Sequence, residues 1–153
     1  SPRRSHGMHA RRICLALLLG AMVTLAGCAD TGESGPFAQE TGDQVLDPDT
    51  AVSFQLPGER GFELAYQVSV SEGPSIDVMV LTGQEFQRYD SNQDFTYIAG
   101  CSTLATDQAQ LTCGLPAGTY FLVLDNTHAG EASPPPGGAA AQVAYQYTAT
   151  YIS

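Results

Sequence analysis

Polar and apolar residues alternate along most of the chain after residue 44, and a period of two predicts strands rather than helices. Val52, Phe54 and Leu56 alternate with Ser53 and Gln55, and Pro57-Gly58 has the residue order of a type II turn. The clearest segment follows. Phe62, Leu64, Tyr66, Val68 and Val70 share one face, while Glu63, Ala65, Gln67, Ser69 and Ser71 share the other. That is the pattern of a sheet with one wet face. Gly73-Pro74 turns the chain, after which Ile76, Val78 and Val80 continue the inward face and Asp77, Met79 and Leu81 face out or lie under a loop.

The period breaks at Gly83, and Gln84 to Tyr89 fits one or two helical turns with Phe86 and Tyr89 on one side. Asp90 to Asp94 reads as a polar turn. Phe95, Tyr97 and Ala99 predict a strand, residues 101–107 a loop, and Ala109, Leu111 and Cys113 a short strand. Leu115-Pro116-Ala117-Gly118 fits a type I turn. Tyr120, Leu122 and Leu124 then alternate with Phe121, Val123 and Asp125, a strand apolar on both faces at its start and so central in its sheet. Thr127 to Ala139 is a Pro/Gly loop with no apolar anchor, expected to be mobile. Val143, Tyr145, Tyr147, Ala149 and Tyr151 form one face of a long last strand. About seven or eight strands and no long helix predict an all-β chain, a single antiparallel β-sandwich or jelly roll over residues 44–153.

The first part of the chain follows another plan. Arg3, Arg4, Arg11 and Arg12 precede an uncharged apolar run from Ile13 to Leu25. A basic start, a short apolar run and small residues at its end describe a secretory signal peptide, here residues 1–27, with Met8 the expected start and residues 1–7 upstream of it. As a helix the run spans about 20 Å, short of the ~30 Å hydrocarbon core of a bilayer. Leu25-Ala26-Gly27-Cys28 resembles the lipobox of prokaryotic lipoproteins. The resemblance implies acylation of the Cys28 thiol, cleavage before it, and a body anchored to a membrane through lipid in the extracytoplasmic cell envelope. Residues 28–43 are small and polar, and read as a flexible tether with Phe37 its only large apolar residue.

Charge narrows the partners. The four leader arginines leave a body with two basic residues, sixteen acids and no lysine, a formal charge of −14. Phosphate backbones and anionic headgroups are repelled by such a surface, which excludes nucleic acid as a partner. Cys14 lies in the leader and Cys28 takes the lipid, so Cys101 and Cys113 remain as an even pair in an exported chain, the arrangement of one disulfide. Two widely spaced cysteines with one histidine do not make a zinc set.

Leu115-Pro116-Ala117-Gly118-Thr119-Tyr120 followed by Phe121 to Leu124 resembles one strand of the bacterial pre-peptidase C-terminal domain, and Phe62 to Val70 with Ile76 to Leu81 resembles its opening strands. The resemblance implies a jelly-roll-like sandwich with an accessory role beside exported enzymes. Here it stands behind a lipid anchor with no protease in the chain.

Candidate chemistry is sparse. Asp90, Asn92 and Asp94 place oxygen side chains at alternate positions, the donor type a hard cation such as Ca²⁺ requires, although Phe95 and Cys101 replace the glycine and glutamate of an EF-hand loop. Asp47-Pro48-Asp49 is a further oxygen source. No other cofactor is implied. His128 is the one histidine of the body, and no Gly-x-Ser-x-Gly elbow accompanies it. Tyr145, Tyr147 and Tyr151 read as core residues in preference to a sugar-stacking surface. The expected function is a non-catalytic surface binding or accessory module whose partner is a protein or a carbohydrate. A structural envelope protein is the alternative, and a secreted hydrolase resting on His128 the third reading.

Overall fold

The computed structural model describes residues 35–135 and 138–153. The leader, Cys28 and the first part of the expected tether lie outside the described residues. The strands run in order β1 (Pro36–Leu46), β2 (Thr50–Gly58), β3 (Phe62–Glu72), β4 (Ile76–Thr82), β5 (Thr103–Thr106), β6 (Gln108–Leu115), β7 (Gly118–Asn126) and β8 (Ala141–Tyr151). Helix α1 (Gly83–Asp90) and a 3₁₀ turn (Ala99–Cys101) lie between β4 and β5.

Two four-stranded sheets pack face to face. Sheet A has the order β1-β8-β3-β6 and sheet B the order β2-β7-β4-β5. All pairings are antiparallel. First pairs with last, second with seventh, third with sixth and fourth with fifth. The chain is therefore one long folded hairpin whose paired legs alternate between sheets, the topology of a jelly roll. The period of two produces it, because each strand turns its apolar set toward the other sheet. Leu56, Phe62, Leu64, Ile76, Val78, Leu122, Leu124 and Ala149 are buried there with Tyr66, Tyr145 and Tyr147. Tyr145 and Tyr147 are core residues, as expected, while Tyr151 is partly buried and packs against the core.

Several expectations need correction. Residues 36–43 are not tether. They form most of β1, which pairs with β8 from Pro36 to Leu46. The stretch has few apolar residues because an edge strand needs only one partly covered face. Pro57-Gly58 is not a turn but the end of β2, where Pro57 faces Thr119. Its missing N–H is tolerated because β2 is the edge of sheet B. Phe95 to Ile98 is irregular, Ala99 begins the 3₁₀ turn, and the strand comes later, at β5, within the expected loop. The loop after β7 has anchors: Ala132 and Pro134 are buried. Gly73, at φ 95°, makes the expected turn between β3 and β4. Cys101 and Cys113 form a disulfide with Cα atoms 5.5 Å apart, tying the 3₁₀ turn to β6. Among the described residues no helix is long and apolar enough to cross a membrane.

Candidate functional site

The two sheets treat their outer faces differently. On sheet B a second apolar cluster covers the outside. Met79, Leu81 and Val123 are buried beneath Phe86, Tyr89, Phe95 and Tyr97. Thr82 caps α1 by accepting the Glu85 N–H at 3.2 Å, and Glu85 in turn accepts the Thr96 N–H at 2.8 Å. The helix is thus set down with Phe86 stacked on Phe121, centroids 3.9 Å apart. The expected side-by-side placement of Phe86 and Tyr89 is what closes this face.

Sheet A is open. Register puts Thr41, Gln146, Gln67 and Gln110 in one row across all four strands, with Asp43, Ala144, Ser69 and Gln108 in the next. The row on the other side is Gln39, Thr148, Ala65 and Thr112. Gln146 Nε2 donates to Gln67 Oε1 at 2.9 Å, joining β8 to β3 above the sheet. A broad shallow depression crosses the first two of these rows. In these three rows Asp43 is the single charged residue, although the body is strongly acidic. The face offers amides and hydroxyls to a partner.

The second feature is where the acids gather. Asp90 ends α1, Asn92 is left-handed at φ 53° and Asp94 follows, all three exposed. They stand beside the 127–132 loop. One depression is bordered by Asp49, Asp90, Asn92, Tyr89 and His128, a second by Asp94, Asn92, Tyr89 and Glu131. Among the described residues no three His, Cys, Asp or Glu side chains converge as a metal-binding group. A cation at Asp90, Asn92 and Asp94 would need carbonyl oxygens and water for the rest of its shell. His128 is exposed in the loop, not buried against an acid.

Sequence reasoning left Asp77 either facing out or lying under a loop, and the second alternative holds; it placed Asp125 on a strand face and missed its burial. Both are fully inaccessible, and they are cross-strand partners in β4 and β7. Asp77 accepts the Ala105 N–H at 2.7 Å and the Ala132 N–H on both oxygens, at 3.0 and 2.9 Å. Asp125 Oδ1 accepts the Thr127 N–H at 2.6 Å, while Oδ2 has no partner. Burial raises the Asp125 pKa against the opposing hydrogen bonds from Thr127, the neighbouring charge of Asp77 raises it further, and a hydrogen bond from the Tyr89 phenol opposes the rise. Tyr89 packs over this pair, its phenol pushed upward first by burial and then by the charge of Asp125. A signal was present: Asp77 sits between Ile76 and Val78 at the head of a run buried on both faces.

No family model matches the chain, and no curated protein matches it. Among solved structures, the crystal structure of Aeromonas hydrophila PliG, a periplasmic lysozyme inhibitor of g-type lysozyme, is similar at a TM-score of 0.47 and 14% identity, over 76% of this chain and 88% of that chain.

Proposed function

We propose that the chain is a lipid-anchored, extracytoplasmic binding module without catalysis, held to a membrane through Cys28 and engaging its partner through the open face of sheet A. One observation carries the reading. Sheet B's outer face is closed by α1 and the segment after it, whereas sheet A presents ordered rows of Gln, Thr and Ser with little charge. A purely spacing protein gains nothing from keeping charge off the central rows of one face, where Asp43 is the single acid and Glu63 lies in the row beyond, while most of its acids are carried elsewhere. The Cys101–Cys113 disulfide supports an oxidising compartment. The partner is a neutral surface rich in hydrogen-bonding groups, a carbohydrate or a protein, since the body repels polyanions. An accessory role of the kind the pre-peptidase C-terminal resemblance implies fits the same face.

The test is co-sedimentation of the detergent-solubilised protein with purified cell-wall polysaccharide, and separately with envelope proteins stripped of glycan. Wild type should be retained by one of them, and Gln67→Glu/Gln146→Glu should lose about tenfold in affinity, since a mismatched buried polar contact costs about 1–3 kcal/mol. Retention unaffected by the double variant rejects sheet A as the surface. Retention by neither fraction favours the structural envelope protein. Cys28→Ala should move the chain from the detergent phase to the aqueous phase on Triton X-114 partition.

A further inference from the structure

Asp77 and Asp125 face each other across the β4–β7 ladder. Directly opposed residues in such a ladder hold their Cβ atoms about 5 Å apart on the same side of the sheet. Both carboxyls are inaccessible to solvent. The loop after β7 covers them together with Tyr89 of α1. Ala132 N–H binds Asp77, 55 residues away in the chain, while Thr127 N–H binds Asp125 in a local turn two residues on, so the far end of residues 127–132 is tied to one carboxyl and the near end is shaped by the other. The loop lies so close that a Cβ at Gly130 would collide with Asp77 Oδ2. Only glycine lets the cover seat.

The groups around the pair are all acidic or neutral, apart from two on the rim. Asp77 faces Asp125 from β4, and Tyr89 and Asp90 come from α1. Asp49 borders the neighbouring depression from the β1–β2 connection. The loop contributes Glu131 and His128, and α1 also bears Arg88; all three are exposed. Among the described residues no cation is therefore buried with the two carboxyls. Asp125 Oδ2, the oxygen with no partner, is the natural seat of a proton. Two adjacent buried carboxyls cannot both ionise without water or a counter-charge.

We propose that the Asp77–Asp125 pair is a proton-operated latch: while Asp125 keeps its proton the 127–132 loop stays fastened, and loss of that proton frees the loop. The charge created on Asp125 stands beside Asp77, with only the Tyr89 phenol and Thr127 to answer it, so water must be admitted, and the 127–132 loop can lift without breaking a strand. Lifting it removes the shared wall of the two depressions that flank Tyr89 and exposes the phenol. The latch is shut in acid and opens as pH rises. It rests on this pair alone and not on the sheet A reading.

The experiment is amide hydrogen exchange of the full chain in detergent across a series of pH values, following a peptide that spans residues 127–132 and expressed as protection relative to the unstructured peptide. Protection in wild type should fall with rising pH by up to about tenfold per unit, the limit for one proton. Asp125→Asn, permanently neutral and of the same shape, should keep high protection at every pH. Ala132→Pro, which removes the donor to Asp77, should lose protection at every pH. His128→Gln should behave as wild type. Wild-type protection independent of pH overturns the latch, as does a pH dependence that survives Asp125→Asn or disappears in His128→Gln. Should Asp125→Asn fail to fold, Asp77→Asn decides: removing the neighbouring charge must move the midpoint to lower pH, and an unmoved midpoint overturns the proposal.

Discussion

Phe37 stacks on Tyr151 with ring centroids 4.3 Å apart and planes 18° apart. The same ring meets Phe62 edge-on at 5.1 Å. A register shift between Pro36 and Ala38 turns the ring toward the core. The start of β1 is thereby pinned to the end of β8 and to the first residue of β3. Phe37→Ala should cost about 2 kcal/mol, below the 3–5 kcal/mol of a fully buried aromatic because the ring is half-exposed. That corresponds to roughly 8 °C in a thermal melt. A change under about 2 °C would mean that β1 is held by its backbone pairing alone.

The disulfide carries a second expectation. It spans a separation of 12 residues and ties the 3₁₀ turn to β6. The chain-entropy model gives about 3 kcal/mol for a loop of this size. Cys101→Ser/Cys113→Ser should lower stability by that amount in urea. Tyr66 donates to the Cys101 carbonyl at 3.0 Å and also contacts the Thr103 hydroxyl at 3.1 Å. The double variant should therefore loosen β5 first, seen as earlier hydrogen exchange over Thr103–Thr106.

The periodic parts of the chain were legible. The Phe62 to Val70 face, the paired Phe86 and Tyr89, the inward tyrosines of β8 and the disulfide all follow from residue period or from counting cysteines. What failed had a common physical cause. The start of β1 around Gln39 and Thr41 is a polar edge strand, and its pairing with β8 supplies the order that its composition hides. Pro57 reads as a turn until one knows that its strand is an edge. Ala132 is an anchor only because Asp77, far away in sequence, takes its N–H. The acidic turn at Asp90 was found from residue type, while Asp77 was left between facing out and lying under a loop, and Asp125 was seen only as a strand position. Burial is a property of what packs on a residue, and no local pattern states it.

For the turn itself, a cation bound by Asp90, Asn92 and Asp94 would be held weakly, with a dissociation constant in the millimolar range typical of extracellular modules. At a calcium concentration about tenfold above it, binding to the native state adds about 1.4 kcal/mol. The expected rise in melting temperature is roughly 5 °C, reversed by chelator and absent in Asp90→Asn/Asp94→Asn. No rise in wild type removes calcium from the description of this end of the sandwich.

The tyrosines set the alkaline limit of the fold. Tyr66, Tyr89, Tyr145 and Tyr147 all have their phenols raised above the usual value, with burial the first cause in each. Tyr145 also donates to Glu40 Oε1 at 2.7 Å, a bond that exists only while the phenol keeps its proton. An acid whose pKa is higher folded than unfolded favours the native state below the unfolded value, near 10, and that contribution is lost as pH rises through the folded value. Stability should therefore decline steeply above about pH 10. Absorbance at 295 nm should show a late fraction, from Tyr66, Tyr89, Tyr145 and Tyr147, that ionises only together with loss of the β signal in circular dichroism. Glu40→Gln removes the charge beside Tyr145 and Tyr147 and should bring part of the late fraction to lower pH. A single smooth titration of all seven tyrosines, complete before unfolding begins, would contradict the buried placement of Tyr145 and Tyr147.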